Sequence, residues 1–413
     1  MKKDAVIIGG GVAGAWCASE LSRLGLESII VEKDPYPGGH VAGYCCKATD
    51  KCQRCGACLL EDVLECVEKS DRITCLLRST VTQVNRANGF FNISIFQQPL
   101  RIHPEKCNLC GKCMEICPVP GALTRLPDKN CISLNEDSCI FFKDGSCQAC
   151  ADACPEGAVD LKVPAGETQV DARAIILACG FKAFDPREKP RFGYGLIPGV
   201  ITGLELDSIL RGGNFDPGEG EKKIKSVAFI QCVGSRDPKI GRNYCSRVCC
   251  GYALRLAGLL GDRFPGIQPA IFYMDIQSFD RDFERRFEAI RRKMRLIRAI
   301  PGEVRNGTDG RPELIYRGPG EERIVESFDL VVLSVGISPD PSLGALAELL
   351  GVNTNEDGFL GRGGDEVFTD TSGVFVAGAI QGPKSIEETV SHAIRTAGAV
   401  ESYVKEHYRG ENQ

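Results

Sequence analysis

The chain has 413 residues, 43% hydrophobic and 25% charged, which gives room for two or three domains with real cores and excludes a mainly disordered protein. Its 55 acidic and 50 basic residues leave a formal net charge of −5, so neither nucleic acid nor an anionic membrane surface is an expected bulk partner. No apolar run reaches the roughly 18 residues of a transmembrane helix. The 22 cysteines are too many for the core of a chain this long and suit metal or iron–sulfur binding in a reducing, cytoplasmic setting better than a disulfide scaffold.

The chain opens MKKDAVIIGGG, a short apolar run followed by glycines and a helical pattern where a signal peptide would have its cleavage site. Ala5–Gly14 reads as a strand running into Gly9-x-Gly11-x-x-Gly14, and a helix follows to Leu24. A second strand, Ser28–Val31, ends at Glu32. This is the dinucleotide fingerprint in its proper context. Gly9, Gly11, Val12, Ala13 and Gly14 let a pyrophosphate approach the helix N-terminus, and Glu32, with Lys33 beside it, stands where a ribose hydroxyl is held.

Next comes Cys45-Cys46, then Cys52-x2-Cys55-x2-Cys58, a spacing that suggests an iron–sulfur cluster with an open fourth ligand. Cys66 is one candidate, but a helix over Leu59–Glu68 would set it about 12 Å along from Cys58 at ~1.5 Å per residue. Cys45 and Cys46 come from a loop and can bend back, so Cys46 is taken as the ligand with Cys45 as second choice. A redox-active disulfide or a zinc site is the alternative for this group.

Residues 100–164 are cysteine-dense and punctuated by Pro and Gly, as in a small domain that needs metal to fold. Cys107-x2-Cys110-x2-Cys113-x3-Cys117-Pro118 is the bacterial ferredoxin run, and Cys139-x7-Cys147-x2-Cys150-x3-Cys154-Pro155 repeats it with a longer first gap. Crossing the fourth ligands, as in two-cluster ferredoxins, gives one [4Fe–4S] cluster on Cys107, Cys110, Cys113 and Cys154. The other falls on Cys117, Cys139, Cys147 and Cys150. Zinc is the alternative, but its sites usually mix in histidine, and only His40, His103, His392 and His407 exist. Cys17, Cys75, Cys131 and Cys179 sit in apolar stretches and read as small buried hydrophobes.

Further strands are expected at Ala174–Gly180, Ser226–Cys232 and within Thr369–Ala379, the last followed by a helix from about Ser385. After Ser226–Cys232 the residues Val233-Gly234-Ser235-Arg236 contain no GxGxxG, so nicotinamide binding is read as lost there. Phe279, Phe283, Phe287, Ile290, Met294 and Ile297 recur at helical spacing. Arg281, Arg285, Arg286, Arg291, Arg292, Lys293, Arg295 and Arg298 fill the other face, a solvated surface or a docking face for an acidic partner subunit. The layout, with the fingerprint first and a strand–helix closing the chain, resembles the two-dinucleotide-domain flavoproteins of the thioredoxin reductase type. That resemblance implies FAD; here the closing motif ends Gly378-Ala379 in place of the usual Gly-Asp. The expected fold is α/β, two Rossmann-type domains with an inserted α+β ferredoxin domain. The boundaries are 1–99 (with a cysteine-rich insertion at 45–66), 165–220 and 346–413 for the FAD domain, 100–164 for the insert and 221–345 for the second nucleotide-type domain.

The spacing Cys232-x12-Cys245-x3-Cys249-Cys250 closely resembles the cluster-binding loop of the HdrA subunit of heterodisulfide reductase and its relatives. Gly38–Ala42, Gly180–Asp185, Val376-Ala377-Gly378 and Gln381-Gly382-Pro383-Lys384 match as well, so the likeness runs over nearly the whole chain. It implies a [4Fe–4S] cluster on Cys232, Cys245, Cys249 and Cys250 close to FAD. It also adds Gly39, His40, Val41, Gly180, Gly378, Ala379, Gln381, Gly382 and Lys384 to the cofactor site. Where the family has a lysine near the flavin this chain has Arg255, which keeps the charge but does not release a proton, and Glu205 is a candidate for tuning the flavin. The family implies an electron-transfer subunit of a larger anaerobic complex, with redox partners of the iron–sulfur, hydrogenase or dehydrogenase type, or ferredoxin. The chain would stand there singly or as a homodimer, cytoplasmic, and membrane-associated at most through other subunits. Three or four clusters and one FAD are expected, with electron bifurcation as a family option. The rival readings are a self-sufficient NAD(P)H-dependent flavin reductase and a zinc-binding scaffold.

Overall fold

The computed structural model describes residues 1–49, 51–103, 106–126, 131–220, 223–277, 283–362 and 366–408. Its first sheet has seven strands, ordered Ile73–Leu76, Ser28–Val31, Lys2–Ile8, Gly166–Leu177, Phe90–Gln97, Ser79–Ala87, with Val374–Val376 paired to the end of Gly166–Leu177. Lys2–Ile8 lies parallel to both Ser28–Val31 and Gly166–Leu177. Their carboxyl-terminal stretches, Ala5–Ile8, Ile29–Val31 and Ala174–Leu177, are unbroken apolar runs because both faces are covered. Ala5, Ile7, Ile30 and Ile176 pack under the helices Val12–Arg23 and Ile386–His407, while Val6, Ile29, Val31 and Ile175 pack with Leu350 and Leu360 on the other side. Ser385 caps the last helix, accepting from Glu388 N–H while Glu388 takes the Ser385 N–H in return.

The second sheet is parallel throughout, ordered Val200–Thr202, Leu330–Val335, Ser226–Val233, Gln268–Phe272, Arg295–Ile297. The helices Gly203–Arg211 and Cys249–Arg263 cover one face, and the antiparallel strands Glu303–Asn306, Pro312–Arg317 and Arg323–Ser327 supply Val304, Leu314 and Tyr316 to the other. Between the antiparallel neighbours Phe90–Gln97 and Gly166–Leu177 the chain leaves the first sheet and returns. The excursion holds the short helices Lys112–Ile116, Ile140–Asp144 and Ala149–Asp152 and the paired strands Leu123–Leu126 and Cys131–Leu134. Arg101 fastens it, donating to Glu136 at 3.0 Å and to the Leu161 carbonyl at 3.1 Å.

Two expectations change. Val200–Thr202 and the helix after it join the second sheet, whereas the sequence groups residues 165–220 with the first. The helix expected over 279–298 is described only as Phe283–Arg291, and Arg295–Ile297 is a strand at the edge of the second sheet. Its pairing of Ala270 with Arg295 and Phe272 with Ile297 outweighs the helical period. Phe279 and Arg281 lie outside the described residues, as do the side chains of Arg285, Arg286, Ile290 and Cys131. Lys293 pairs with Asp262 at 2.7 Å, Arg295 with Glu326 at 2.5 Å and Arg291 with Glu288 at 2.8 Å, so these three of the basic side chains are neutralised within the chain. No helix among the described residues is long and apolar enough to cross a membrane.

Candidate functional site

A cavity of about 800 Å³ runs from the fingerprint turn to the second sheet, a size in the upper part of the roughly 300–1,000 Å³ usual for ligand sites. At one end the turn Gly9–Gly11 delivers the chain to the helix Val12–Arg23. A Cβ at Gly14 would stand 1.9 Å from the Gly9 carbonyl oxygen, so only glycine lets helix and turn approach this closely. Glu32 is buried, accepts the Gly10 N–H at 2.6 Å and the Asp34 N–H at 2.8 Å, and has its carboxyl pushed up chiefly by burial. Gly9, Gly11, Val12, Ala13, Glu32 and Lys33 all line the cavity. So do Gly39, His40, Val41, Gly180, Ala379 and Lys384. A pyrophosphate fits at this helix N-terminus, with Glu32 left to receive a hydroxyl.

Four of the expected cofactor residues stand behind the wall. Gly14 packs on the turn, and Gly378 lies against Ala13 with its N–H donated to His392 Nδ1 at 2.9 Å. Gln381 is buried and turned to the Glu366 carbonyl, with its own carbonyl oxygen accepting from Lys384 at 3.3 Å. Gly382 does not reach the cavity either. Glu205 is a clearer correction. It is exposed and off the cavity, and its carboxylate takes the Thr202 N–H at 2.7 Å, the Thr202 hydroxyl at 2.8 Å and the Tyr194 hydroxyl at 2.9 Å. That geometry is a helix cap. Two residues on, Asp207 does line the cavity, ion-paired with Lys47.

At the far end the wall is made by Cys55, by Arg247 and Val248, by Gly251, Tyr252 and Arg255, and by the start of the last helix. Cys249 and Cys250 open the helix Cys249–Arg263, and Cys232, the last residue but one of the central strand, has φ +57°. Cys249 is buried, its thiol pushed up by burial first and then by Cys232, Cys250 and Cys245, so the four thiols share one place. The Cys58 thiol is raised by burial first, by Cys55 next and by Cys52 further down. Arg255 reaches from one group to the other, donating to the Gln53 carbonyl at 3.1 Å and the Arg54 carbonyl at 3.3 Å. Cys46 and Cys66 are both exposed, and Cys66 sits on the helix Leu59–Lys69 as expected. Cys45 is in the core beside Leu206 and Leu210, its N–H on Asp207 Oδ1 at 2.7 Å and its thiol pushed up to about 12 by burial.

In the inserted segment Cys107, Cys110, Cys113 and Cys154 line one small cavity, and Cys113 is raised by burial, then by Cys107, with Cys154 contributing further down. Cys154 Sγ accepts the Ala158 N–H at 3.3 Å. Cys150 is pushed up to about 11 by burial, then by Cys139 and Cys117. Cys147 is half-buried one turn before it. The structure thus brings Cys107, Cys110, Cys113 and Cys154 around one small cavity and sets Cys139 and Cys117 near Cys150. Among the described residues no three His, Cys, Asp or Glu side chains close on a point where one metal ion could sit. Four thiols at the corners of a larger cubane do not need to. Of the remaining cysteines, Cys17 is buried and Cys179, pushed up to about 12 by burial, lies on the cavity wall.

Comparison with known proteins supports FAD and iron–sulfur binding. Residues 4–49 match the FAD dependent oxidoreductase family, and residues 100–120 and 136–157 match 4Fe-4S binding domains. The fold is similar to thioredoxin reductase from Lactococcus lactis, with a TM-score of 0.56 at 16% identity over 98% of this chain and 99% of that one. It is also similar to T. acidophilum thioredoxin reductase, with a TM-score of 0.54 at 14% identity over 97% and 98%. The class is therefore an FAD- and iron–sulfur-dependent oxidoreductase on a thioredoxin-reductase-like scaffold.

In sequence the chain is 35% identical over 420 residues to the HdrA subunit of the H(2):CoB-CoM heterodisulfide,ferredoxin reductase of Methanothermobacter marburgensis, covering 94% of this chain and 62% of that one. It is 33% identical over 428 residues to the HdrA iron-sulfur subunit of the CoB–CoM heterodisulfide reductase of Methanocaldococcus jannaschii, covering 96% and 64%. Over nearly its whole length the chain is similar to the HdrA subunits of heterodisulfide reductases, and it spans somewhat under two thirds of the length of these relatives.

Proposed function

We propose that this chain is a flavin and iron–sulfur electron-transfer subunit that joins two-electron exchange at FAD to one-electron exchange at [4Fe–4S] clusters within a larger redox complex. The observation that carries the reading is the cavity itself. One end is the dinucleotide turn with Glu32, and the other is walled by Cys55 and by Gly251 and Tyr252, which follow directly on Cys249 and Cys250. FAD bound there supplies the conversion between electron pairs and single electrons.

The chain's own residues do the rest. The helix Val12–Arg23 and Glu32 hold and orient the nucleotide. Half-buried Tyr252 donates to the Val335 carbonyl at 3.1 Å and fixes the wall beside Cys249. The proposed cluster ligands are Cys232, Cys245, Cys249 and Cys250 near the cavity. In the insert they are Cys107, Cys110, Cys113 and Cys154 on one cluster and Cys117, Cys139, Cys147 and Cys150 on the other. Cys52, Cys55 and Cys58 hold a fourth cluster with Cys46. The insert is the exit or entry for single electrons to a partner subunit or ferredoxin.

The rival reading, a reductase fed by NAD(P)H, needs a second dinucleotide cradle. After the strand Ser226–Val233 the chain instead turns at Gly234 (φ +84°), where a Cβ would lie 2.0 Å from the Phe184 ring, and the helix starts only at Cys249. Bifurcation is not proposed, because Arg255 stands where the family has lysine and its guanidinium is engaged with two loop carbonyls.

The test is iron, acid-labile sulfide, zinc and flavin per chain, on protein purified without oxygen. About 16 irons with matching sulfide and one FAD is the expected result, and about 12 would remove the Cys52 group from the scheme. Zinc in place of iron would overturn the relay. So would rapid, stoichiometric bleaching of the flavin by NADH alone.

A further inference from the structure

Burying a polar side-chain group without a hydrogen bond is destabilising, and folded chains rarely leave several such groups together. Here Gln231 Nε2 and Oε1, Ser235 Oγ and Ser334 Oγ are buried and make no hydrogen bond, the Tyr252 hydroxyl beside Ser334 being turned to the Val335 carbonyl. The three residues are 2%, 1% and 0% exposed, so solvent does not satisfy them either.

Their placement has a pattern. The strands Ser226–Val233 and Leu330–Val335 run parallel, with Phe229 opposite Val332 and Ile230 opposite Leu333. Gln231 and Ser334 are the next residue on each strand. Val227, Phe229, Leu330 and Val332 face the helix Cys249–Arg263, and alternation puts Ser334 on that same face, while Gln231 follows Phe229 there at the start of an irregularity in the pairing between Ile230 and Val233 that also holds Cys232. They stand at the carboxyl ends of the strands, level with the beginning of the helix. Cys249 Sγ approaches the Val335 carbonyl there at 3.8 Å. Ser235 N–H donates to the Cys232 carbonyl at 3.4 Å, and a Cβ on Gly336 would touch both Ser235 and Ser246, so Ser235 lies against the Cys245–Ser246 segment.

We infer that Gln231, Ser235 and Ser334 donate hydrogen bonds to the sulfur atoms of the cluster held by Cys232, Cys245, Cys249 and Cys250, and raise its reduction potential. The inference rests on the reading of these cysteines as cluster ligands. Sulfide and thiolate sulfurs are acceptors in need of donors, and the amide and hydroxyl groups are donors in need of acceptors. Reduction adds negative charge to the cluster, so donors aimed at its sulfurs stabilise the reduced form more than the oxidised one. The three residues are tuning residues and take no electron themselves.

The experiment is an EPR-monitored redox titration of the full-length chain, prepared and reconstituted without oxygen. Cys232→Ala identifies the component that belongs to this cluster, through its loss together with about four irons. Gln231→Leu, Ser235→Ala and Ser334→Ala are then expected to keep the iron, sulfide and FAD of the parent. Each lost donor lowers the ratio of reduced to oxidised cluster at a fixed potential about tenfold, which for a one-electron couple is ~59 mV more negative. Variants that keep their iron with that component unmoved overturn the inference. Loss of the iron in all three variants overturns it too, in favour of a packing role. If Cys232→Ala loses neither iron nor a component, the ligand reading itself is wrong.

Discussion

Lys47 donates to both carboxylate oxygens of Asp207, at 2.8 Å to Oδ1 and 2.6 Å to Oδ2, with both side chains buried on the wall of the dinucleotide cavity. Asp207 Oδ1 also takes the Cys45 N–H, so one carboxylate holds the start of the cysteine loop to the helix Gly203–Arg211. A buried pair of this kind adds little by itself over an apolar pair, but breaking it strands a charge in the interior. Asp207→Asn is therefore expected to cost ~3–5 kcal/mol, read as a lower denaturant midpoint of the loaded chain together with loss of flavin. Lys47→Met combined with Asp207→Leu should recover most of that stability. A double variant as unstable as Asp207→Asn would show that the loop depends on the charges themselves.

Arg255 is expected to matter through the loop it grips. Its guanidinium reaches two successive carbonyls, of Gln53 and Arg54, next to Cys52 and Cys55. An ammonium presents its donors from one point and does not span both. Arg255→Ala should lower the iron content by about four per chain while the ferredoxin-type clusters and FAD stay, and Arg255→Lys should fall between. Unchanged iron in Arg255→Ala would mean that the loop is held in place without it.

The parts of this arrangement legible in the sequence are those written in short stretches. The fingerprint Gly9–Gly14 with Glu32, the two ferredoxin runs and the Cys245–Cys250 cluster each fall within a few turns of chain. What is not legible depends on partners far away. Val200–Thr202 belongs to the second sheet because Thr202 pairs with Leu333, and Arg295–Ile297 is a strand because Phe272 lies beside Ile297. Lys47 and Asp207 are separated by 160 residues, and nothing local marks either as buried. Resemblance points to Glu205 rather than Asp207, although Thr202 three residues before it is the signature of a capping box. Gln231 carries a more visible signal, an amide at the end of an otherwise apolar strand.

The fourth ligand of the Cys52 group separates by chemistry. Cys46 and Cys66 are both exposed, so a free thiol at either is open to alkylation, whereas a ligand sulfur is not. Brief anoxic treatment of the loaded chain with iodoacetamide, followed by peptide mass mapping, is expected to mark Cys66 and spare Cys46. Cys17 should be spared as well, because burial raises its thiol far out of the reactive range. The reverse pattern, Cys66 spared and Cys46 marked, would move the ligand onto the helix Leu59–Lys69.

Glu32 ties flavin retention to pH. Burial raises its carboxyl above the ordinary 4.5, opposed by the N–H groups of Asp34 and Gly10. A carboxyl raised in the folded chain favours the protonated form there. Its contribution to the stability of the flavin-free chain is therefore full below the ordinary value and is lost as pH rises through the raised one. Flavin binding runs the other way, since the ionised carboxylate is the better acceptor for a ribose hydroxyl. On acidification FAD should leave with a midpoint above 4.5, while the flavin-free chain gains stability over the same interval. Glu32→Gln should hold FAD more weakly at neutral pH and flatten both curves, which fluorescence of released flavin and thermal melting of the stripped chain would record. An unaltered release curve in Glu32→Gln would place the acid-sensitive contact elsewhere on the cavity wall.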